Sequence, residues 1–353
     1  MRDPLVLLTE RADGLLGKGP WSVTAKPGPP PGGDVHDYLS AAPYWWPRPG
    51  TPDGLPYVRR DGVRNPAAAT ATDHAARGAM FTAGHDLTLA WHHTGRARYA
   101  RRAALVLRTW FLDPATRMNP NLDHAQIVPG REGGRGAGVI DFSQRYADVL
   151  AAVAVLDAGA PGWTGSDRDG MRAWNSAFLA WLRGGANGRA AAAAAGNHGS
   201  YHDLLLAALA LATGDGALAA ATVAAAGTGR VDVQIAPDGA QPLELARTRS
   251  WHYSVFNLAA LTHLARLGEG LGADLWRHRT PGGATLLRAV DLLVPAATGA
   301  APWPRPESSF DPSAATGVVR AAAETGDPVA AAAVPLLRRP PGDVWPLRLP
   351  DVT

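Results

Sequence analysis

From residue 73 onward, apolar positions recur at helical spacing. Met80, Leu87, Leu89 and Trp91 stand in an alanine-rich run opening at Asp73, a residue suited to an N-cap. This spacing predicts a helix over residues 73–91, broken by Gly95, and a second over 99–111. Similar runs predict helices over 142–156, 172–182, 200–211, 217–226, 253–267 and 283–293. Only short pieces, such as 231–235, have strand character. Strands and helices do not alternate, which disfavours a doubly wound parallel sheet. No fixed-period repeat accompanies the helices. The simplest architecture is therefore mostly α, built from antiparallel helix pairs. Periodicity alone leaves bundle, solenoid and toroid open.

The first 70 residues follow no such pattern. Residues 26–34 (KPGPPPGGD) cannot hold a regular helix, because proline removes donors and glycine loosens the chain. The Pro-rich stretch 34–65 contains Tyr44, Trp45 and Trp46 in succession, which must pack over the domain or line a cleft. The expected organisation is one domain: an irregular N-terminal segment (1–70) packed on a cleft, and a helical catalytic body (71–353). The stretches 34–65 and 113–138 exceed ordinary packing connections, and loops of that length often carry function.

Composition narrows the classes of activity. With 46% apolar residues, 18% charged residues and a net charge of +3, the chain can bury a core and is not a disordered polyelectrolyte. It has no cysteine, which removes disulfides and thiolate metal sites. Its longest apolar run, 204–213, is too short to span a membrane, and residues 5–8 are too short for a signal-peptide core. The basic residues are spread rather than gathered into a tract, which argues against nucleic acid and leaves an acidic polymer open. Twelve Trp and seven Tyr supply flat faces with polar tips, suited to sugar rings as well as to a core.

Several familiar motifs are missing. Gly17-Lys18 is followed by Gly19, so no phosphate loop forms, and neither His-Glu-x-x-His nor Gly-x-Ser-x-Gly occurs. His198 and His202 could share a helix face, but no third ligand stands nearby in sequence, so neither a metal nor another cofactor is expected.

Two constellations remain. Asn197 and His198, in Gly196-Asn197-His198-Gly199-Ser200-Tyr201-His202-Asp203, are predicted at a helix N-terminus, where N–H groups and the macrodipole favour an anion. Capping by Asn197 and Ser200 is the plainer alternative. Farther on, Arg249 and Tyr253 are i, i+4 neighbours, and an arginine beside a tyrosine can stabilise a phenolate.

These segments resemble signatures of the alginate lyase superfamily. They are Asn197-His198-Gly199, Pro242-Leu243-Glu244-Leu245 and Arg247-Thr248-Arg249-Ser250-Trp251-His252-Tyr253. Others are residues 38–47 (YLSAAPYWWP), 53–57 (DGLPY), Asn119-Pro120-Asn121-Leu122 and the glycine-rich stretch through Gly136 to Ile140-Asp141. The resemblance implies an α/α toroid of the incomplete-barrel type, with a cleft for an anionic polysaccharide. It also implies metal-free β-elimination in a uronic-acid polymer of alginate or glucuronan type. Carried over by position, the catalytic residues are Asn197, His198, Arg247 or Arg249, and Tyr253. The substrate-binding candidates are Tyr44, Trp45, Trp46, Arg135, Tyr201, His202 and His252. The arginine-to-tyrosine segment is one residue shorter than in the best-known members, which leaves the arginine open. A hydrolase using Asp73 or Asp141, and a non-catalytic polysaccharide-binding protein, are the rivals. A secreted or extracellular location is expected because such polymers are met outside cells, with a cytoplasmic one as the alternative; oligomeric state has no sequence signal.

Overall fold

The computed structural model describes residues 2–349. The chain forms two compact units, residues 2–190 with 342–349, and residues 191–341.

The first unit carries α1 (Pro4–Leu15), α2 (His74–Thr94), α3 (Ala97–Phe111), α4 (Ile140–Ser143), α5 (Tyr146–Asp157) and α6 (Gly165–Gly184). Helices α2 and α3 pack together across a two-residue connection at Gly95, whose left-handed φ of 67° ends α2, so the chain must double back. Helix α1, inside the stretch read as irregular, begins at an Asp3 cap with Pro4 in its first turn and packs on α2. The rest of the first 70 residues supplies short strands, β1 (Leu39–Ala41), β2 (Trp45–Trp46) and β3 (Val58–Arg59). Strand β1 pairs in parallel with β4 (His124–Ile127), and β2 pairs antiparallel with β3. An aromatic core of Phe81, Phe111, Phe142, Tyr146, Trp174 and Phe178 fills the unit with edge-on and tilted contacts.

Helix α7 (Ala186–Ala192) runs through the boundary. The second unit holds α8 (Asn197–Thr213), α9 (Gly216–Ala226), α10 (Asp232–Gln234), α11 (Pro242–Leu245) and α12 (Ser250–Glu269). It continues with α13 (Leu286–Asp291), α14 (Val294–Thr298), α15 (Thr316–Glu324) and α16 (Pro328–Ala333). Helices α8 and α12 pack on each other and both contact α9. The segment 231–235, expected to have strand character, instead continues a π-helical turn (Gly227–Val231) into α10. Val231 packs in the core from that helical position, showing that its β-branching is overridden by burial.

Among the described residues, no helix is long and apolar enough to cross a membrane.

Candidate active site

The second unit brings the N-terminal turns of α8 and α12 together. Helix α8 starts at Asn197, with Gly196 as its N-cap and no side-chain capping bond. The capping reading therefore fails for Asn197. Its Nδ2 donates to Glu244 Oε2 at 2.8 Å, and its backbone N–H donates to Glu244 Oε1 at 2.9 Å. Glu244 is 2% exposed and stands on α11, whose Pro242 occupies the first turn. Burial raises the Glu244 carboxyl above the usual glutamate range, although the two Asn197 hydrogen bonds and the Arg247 charge pull it down. The net upward direction means that desolvation prevails.

Arg247 connects this pair to Tyr253, with its Cζ 3.7 Å from the centre of the phenol ring. The arginine that touches the tyrosine is thus Arg247, not the i, i+4 neighbour. Arg249 is the N-cap of α12, outside helical geometry at φ −122° and ψ 62°, and Tyr253 N–H donates to its carbonyl. Its guanidinium faces Glu307 instead, with Nε to Oε1 3.8 Å. Glu307 also accepts from the backbone N–H groups of His252 and Ser309. Spacing predicted a shared face for Arg249 and Tyr253, but the helix begins only at Ser250 and a distant carboxylate claims the side chain.

The other candidates in this unit fall around the same two helices. Tyr201 packs on Phe256 at 4.4 Å, and His252 stacks on the same ring at 5.7 Å and 13°. His252 also lies edge-on to Tyr253, with centroids 5.0 Å apart. His198, partly buried, occupies the first turn of α8 next to Asn197. His202 is buried, and its Nδ1 lies 3.0 Å from Asp203 Oδ1; Asp203 also binds Arg230 at 2.8 Å. The His202 side of the His198–His202 spacing is therefore engaged with Asp203, which in turn holds Arg230. Among the described residues, no group of three or more His, Asp or Glu side chains is placed to hold a metal.

Behind Asn197, Gln234 Oε1 accepts from Ser200 Oγ at 3.1 Å and from Asn257 Nδ2 at 2.7 Å. Asn257 also donates to Gln241 Oε1, and Gln241 donates to the Ser254 carbonyl. This buried network locks α8, α10 and α12 in one register.

Tyr44, Trp45, Trp46 and Arg135 lie in the first unit, all half-buried. Trp45 and Trp46 do not present bare rings: Arg131 and Arg135 lie over Trp45, and Arg60 lies over Trp46. The aspartates that a hydrolase would need are committed internally. Asp73 pairs with Lys26 at 3.2 Å and accepts from Leu39 N–H, both side chains being almost wholly buried. Asp141 accepts from Tyr38, Ser40 and Gln126.

Two groups escaped the sequence reading. Glu244 lay within a quoted motif, and its rarity was its signal, since the chain has only six glutamates. Glu307 had none, because it reaches the site from a loop over fifty residues away.

This mostly helical chain belongs to the α/α-toroid class of polysaccharide lyases, as its family and its structural neighbours show. The chain is a member of the alginate lyase family, whose profile matches residues 22–303. An alginate lyase from Bacteroides ovatus is 34% identical, with a TM-score of 0.91 over 96% of this chain and 90% of its own. The A1-III alginate lyase of Sphingomonas species A1 shares the fold at 16% identity, with a TM-score of 0.57 over 92% of this chain and 87% of that one. A histidine-to-alanine variant of A1-III complexed with a tetrasaccharide gives a TM-score of 0.58 at 16% identity, with the same coverage. No match was found among curated proteins.

Proposed function

We propose that this polysaccharide lyase cleaves a uronic-acid polymer of alginate or glucuronan type by β-elimination, with Asn197, His198, Arg247 and Tyr253 as its working groups. The observation that carries the reading is that Asn197 is hydrogen-bonded to Glu244 while Arg247, whose charge acts on Glu244, packs on the Tyr253 ring within the same unit.

Elimination removes the C5 proton of a uronate. That step is difficult while the attached carboxylate is negative, because the carbanion adds a second charge. Asn197 and Arg247, assisted by the N-terminal ends of α8 and α12, offset this charge as the enolate-like species forms. One amide hydrogen of Asn197 is committed to Glu244, which fixes the amide plane and leaves the other for a substrate oxygen. The C5–H electron pair then becomes the C4–C5 double bond as C4–O breaks. Tyr253 delivers a proton to the departing glycosidic oxygen. Where the C5 hydrogen and leaving oxygen share a face, Tyr253 also serves as base. Where they lie on opposite faces, His198 takes the proton and Tyr253 supplies one.

The product carries a conjugated unsaturated uronate, which absorbs in the ultraviolet. Incubation with mannuronate-, guluronate- and glucuronate-rich polymers, followed by that absorbance, tests the reading. Reducing ends without the chromophore would indicate hydrolysis; turnover of none of the polymers would remove the lyase assignment.

A further inference from the structure

Helix α12 carries Tyr253 in its first turn, yet the side chain at its N-cap does not hold that turn. The N-cap is Arg249, which makes no side-chain capping bond. Other helices open on ordinary caps: Asp3 on α1, Thr164 on α6, Asp215 on α9, Thr285 on α13 and Asp327 on α16 each accept from a backbone N–H of the helix they start. At α12 the acceptors come from a loop that stands 55 residues farther along the chain. Ser250 N–H donates to the Pro306 carbonyl at 3.3 Å, and His252 N–H donates to Glu307 Oε2 at 3.0 Å. Only with Tyr253 does the first turn turn inward, its N–H donating to the Arg249 carbonyl at 3.0 Å.

The loop is tied to the helix start at several points. Arg249 and Glu307 form an isolated antiparallel β-bridge. Ser250 Oγ donates to the Pro306 carbonyl at 2.7 Å and accepts from Trp303 Nε1 at 2.8 Å, while Trp251 Nε1 donates to the Asp311 carbonyl at 2.8 Å. The buried Trp251 ring lies 5.1 Å from Trp303 and 4.9 Å from Phe310. Residues 304–306 and 308–310 are exposed, whereas the Glu307 side chain is only 3% exposed. A carboxylate turned inward from an exposed loop has to be matched where it lands. Oε2 takes the His252 N–H; Oε1 takes the Ser309 N–H at 2.9 Å and faces Arg249 Nε at 3.8 Å. All of these residues belong to the second unit.

We propose that Glu307 is a positioning residue for Tyr253: by capping α12 from outside the helix, it fixes where the helix begins and holds the phenol against Arg247. This rests on the reading of Tyr253 as the proton donor in an elimination. Arg247 stands before the N-cap and Tyr253 after it, so their 3.7 Å contact spans the helix start. With no acceptor for the His252 N–H the first turn frays, as unsatisfied helix ends do, and the two side chains separate. Proton transfer tolerates little of that, since a displacement of about 1 Å costs about a hundredfold in rate.

The test compares the wild type with Glu307→Ala and Glu307→Gln on the polyuronate that it cleaves best. Glu307→Ala should lower kcat roughly tenfold to a hundredfold and leave KM within about twofold, because a misplaced donor weakens the transition state more than substrate binding. Glu307→Gln loses the charge but keeps an acceptor for the His252 N–H, and should recover most of that loss. Wild-type kcat in Glu307→Ala, a loss that falls on KM, or a Gln variant no better than Ala overturns the proposal. If Glu307→Ala does not fold, Glu307→Asp replaces it. That variant keeps the charge and withdraws the acceptor, so it should be slower than Glu307→Gln; the opposite order overturns the capping role. Should the wild type cleave no polyuronate, the functional reading fails by itself. Capping is then judged by amide hydrogen exchange in peptides covering the first turn of α12. Faster exchange in the Ala or Asp variant than in the Gln variant supports it, and protection equal to wild type in all of them overturns it.

Discussion

Tyr253 lies with its ring against Arg247, so losing its hydroxyl removes the proposed proton donor while leaving that packing in place. Tyr253→Phe should lower kcat by about a hundredfold to ten-thousandfold, with thermal stability nearly unchanged; stopped ultraviolet assays and a melting curve read the two separately. Arg247 and Arg249 should also part company. Arg247→Ala should depress kcat at least as strongly as KM is raised, whereas Arg249→Ala should act chiefly on stability, through Glu307 and the start of α12. Glu244 belongs to the same scale. As a carboxylate it accepts from both Asn197 donors; protonated, it loses one acceptor and frees the amide to turn. Because burial raises its pKa, kcat/KM should fall as pH drops through a value above the ordinary glutamate range. Glu244→Gln should remove that acid limb and lower kcat roughly tenfold to a hundredfold at neutral pH; an unchanged pH profile would exclude this role for Glu244. The candidacy of Asn197, His198 and Tyr253 was legible because their identities and order carry a family pattern. The choice between Arg247 and Arg249 was not, because it depends on where α12 begins and on a glutamate from another loop.

At the scale of the element, the first turn of α8 is built around the absence of a side chain. A Cβ on Gly199 would meet the Ala194 carbonyl oxygen at 2.2 Å and Arg230 Nη1 at 2.4 Å. Arg230 itself donates to the Ala192 and Ala194 carbonyls, holding the chain that enters the helix. Gly199→Ala should therefore displace that turn, cost about 1–3 kcal/mol in thermal or denaturant unfolding, and reduce kcat by moving Asn197. Major helices of both units were readable from apolar spacing and glycine breaks, within a few residues at their ends except for α6, which begins at Gly165, seven residues before the start that the spacing predicts. Helix α1 was not, since its buried face is reduced to Leu8 and Ala12. Nor was the helical state of 231–235, where five residues of β-leaning sequence follow the preceding helix into the core.

For the whole molecule, acid sensitivity should centre on Asp141. Burial would raise its carboxyl, but His74, the Arg77 charge and the Ser40 hydrogen bond outweigh that and hold its pKa at about 2, below the ordinary 3.8. The native state thus binds fewer protons than the unfolded chain between those values. The stabilisation is present above 3.8 and is lost as pH falls towards about 2. Asp141→Asn should cost on the order of 2 kcal/mol near neutrality and flatten that acid limb, as denaturant unfolding across pH would show. By joining Ser40 of β1, Gln126 of β4 and the start of α4, this carboxylate serves the fold, which is why it is not available to a hydrolase. The amino-acid sequence alone determined the helical class, the family and the chemical types of the candidate site, because periodicity and short motifs are local properties of a chain. Tertiary structure alone decided which arginine meets Tyr253, that Glu244 fixes Asn197, and that Trp45 carries guanidinium groups, because each depends on distances between residues that only packing brings together.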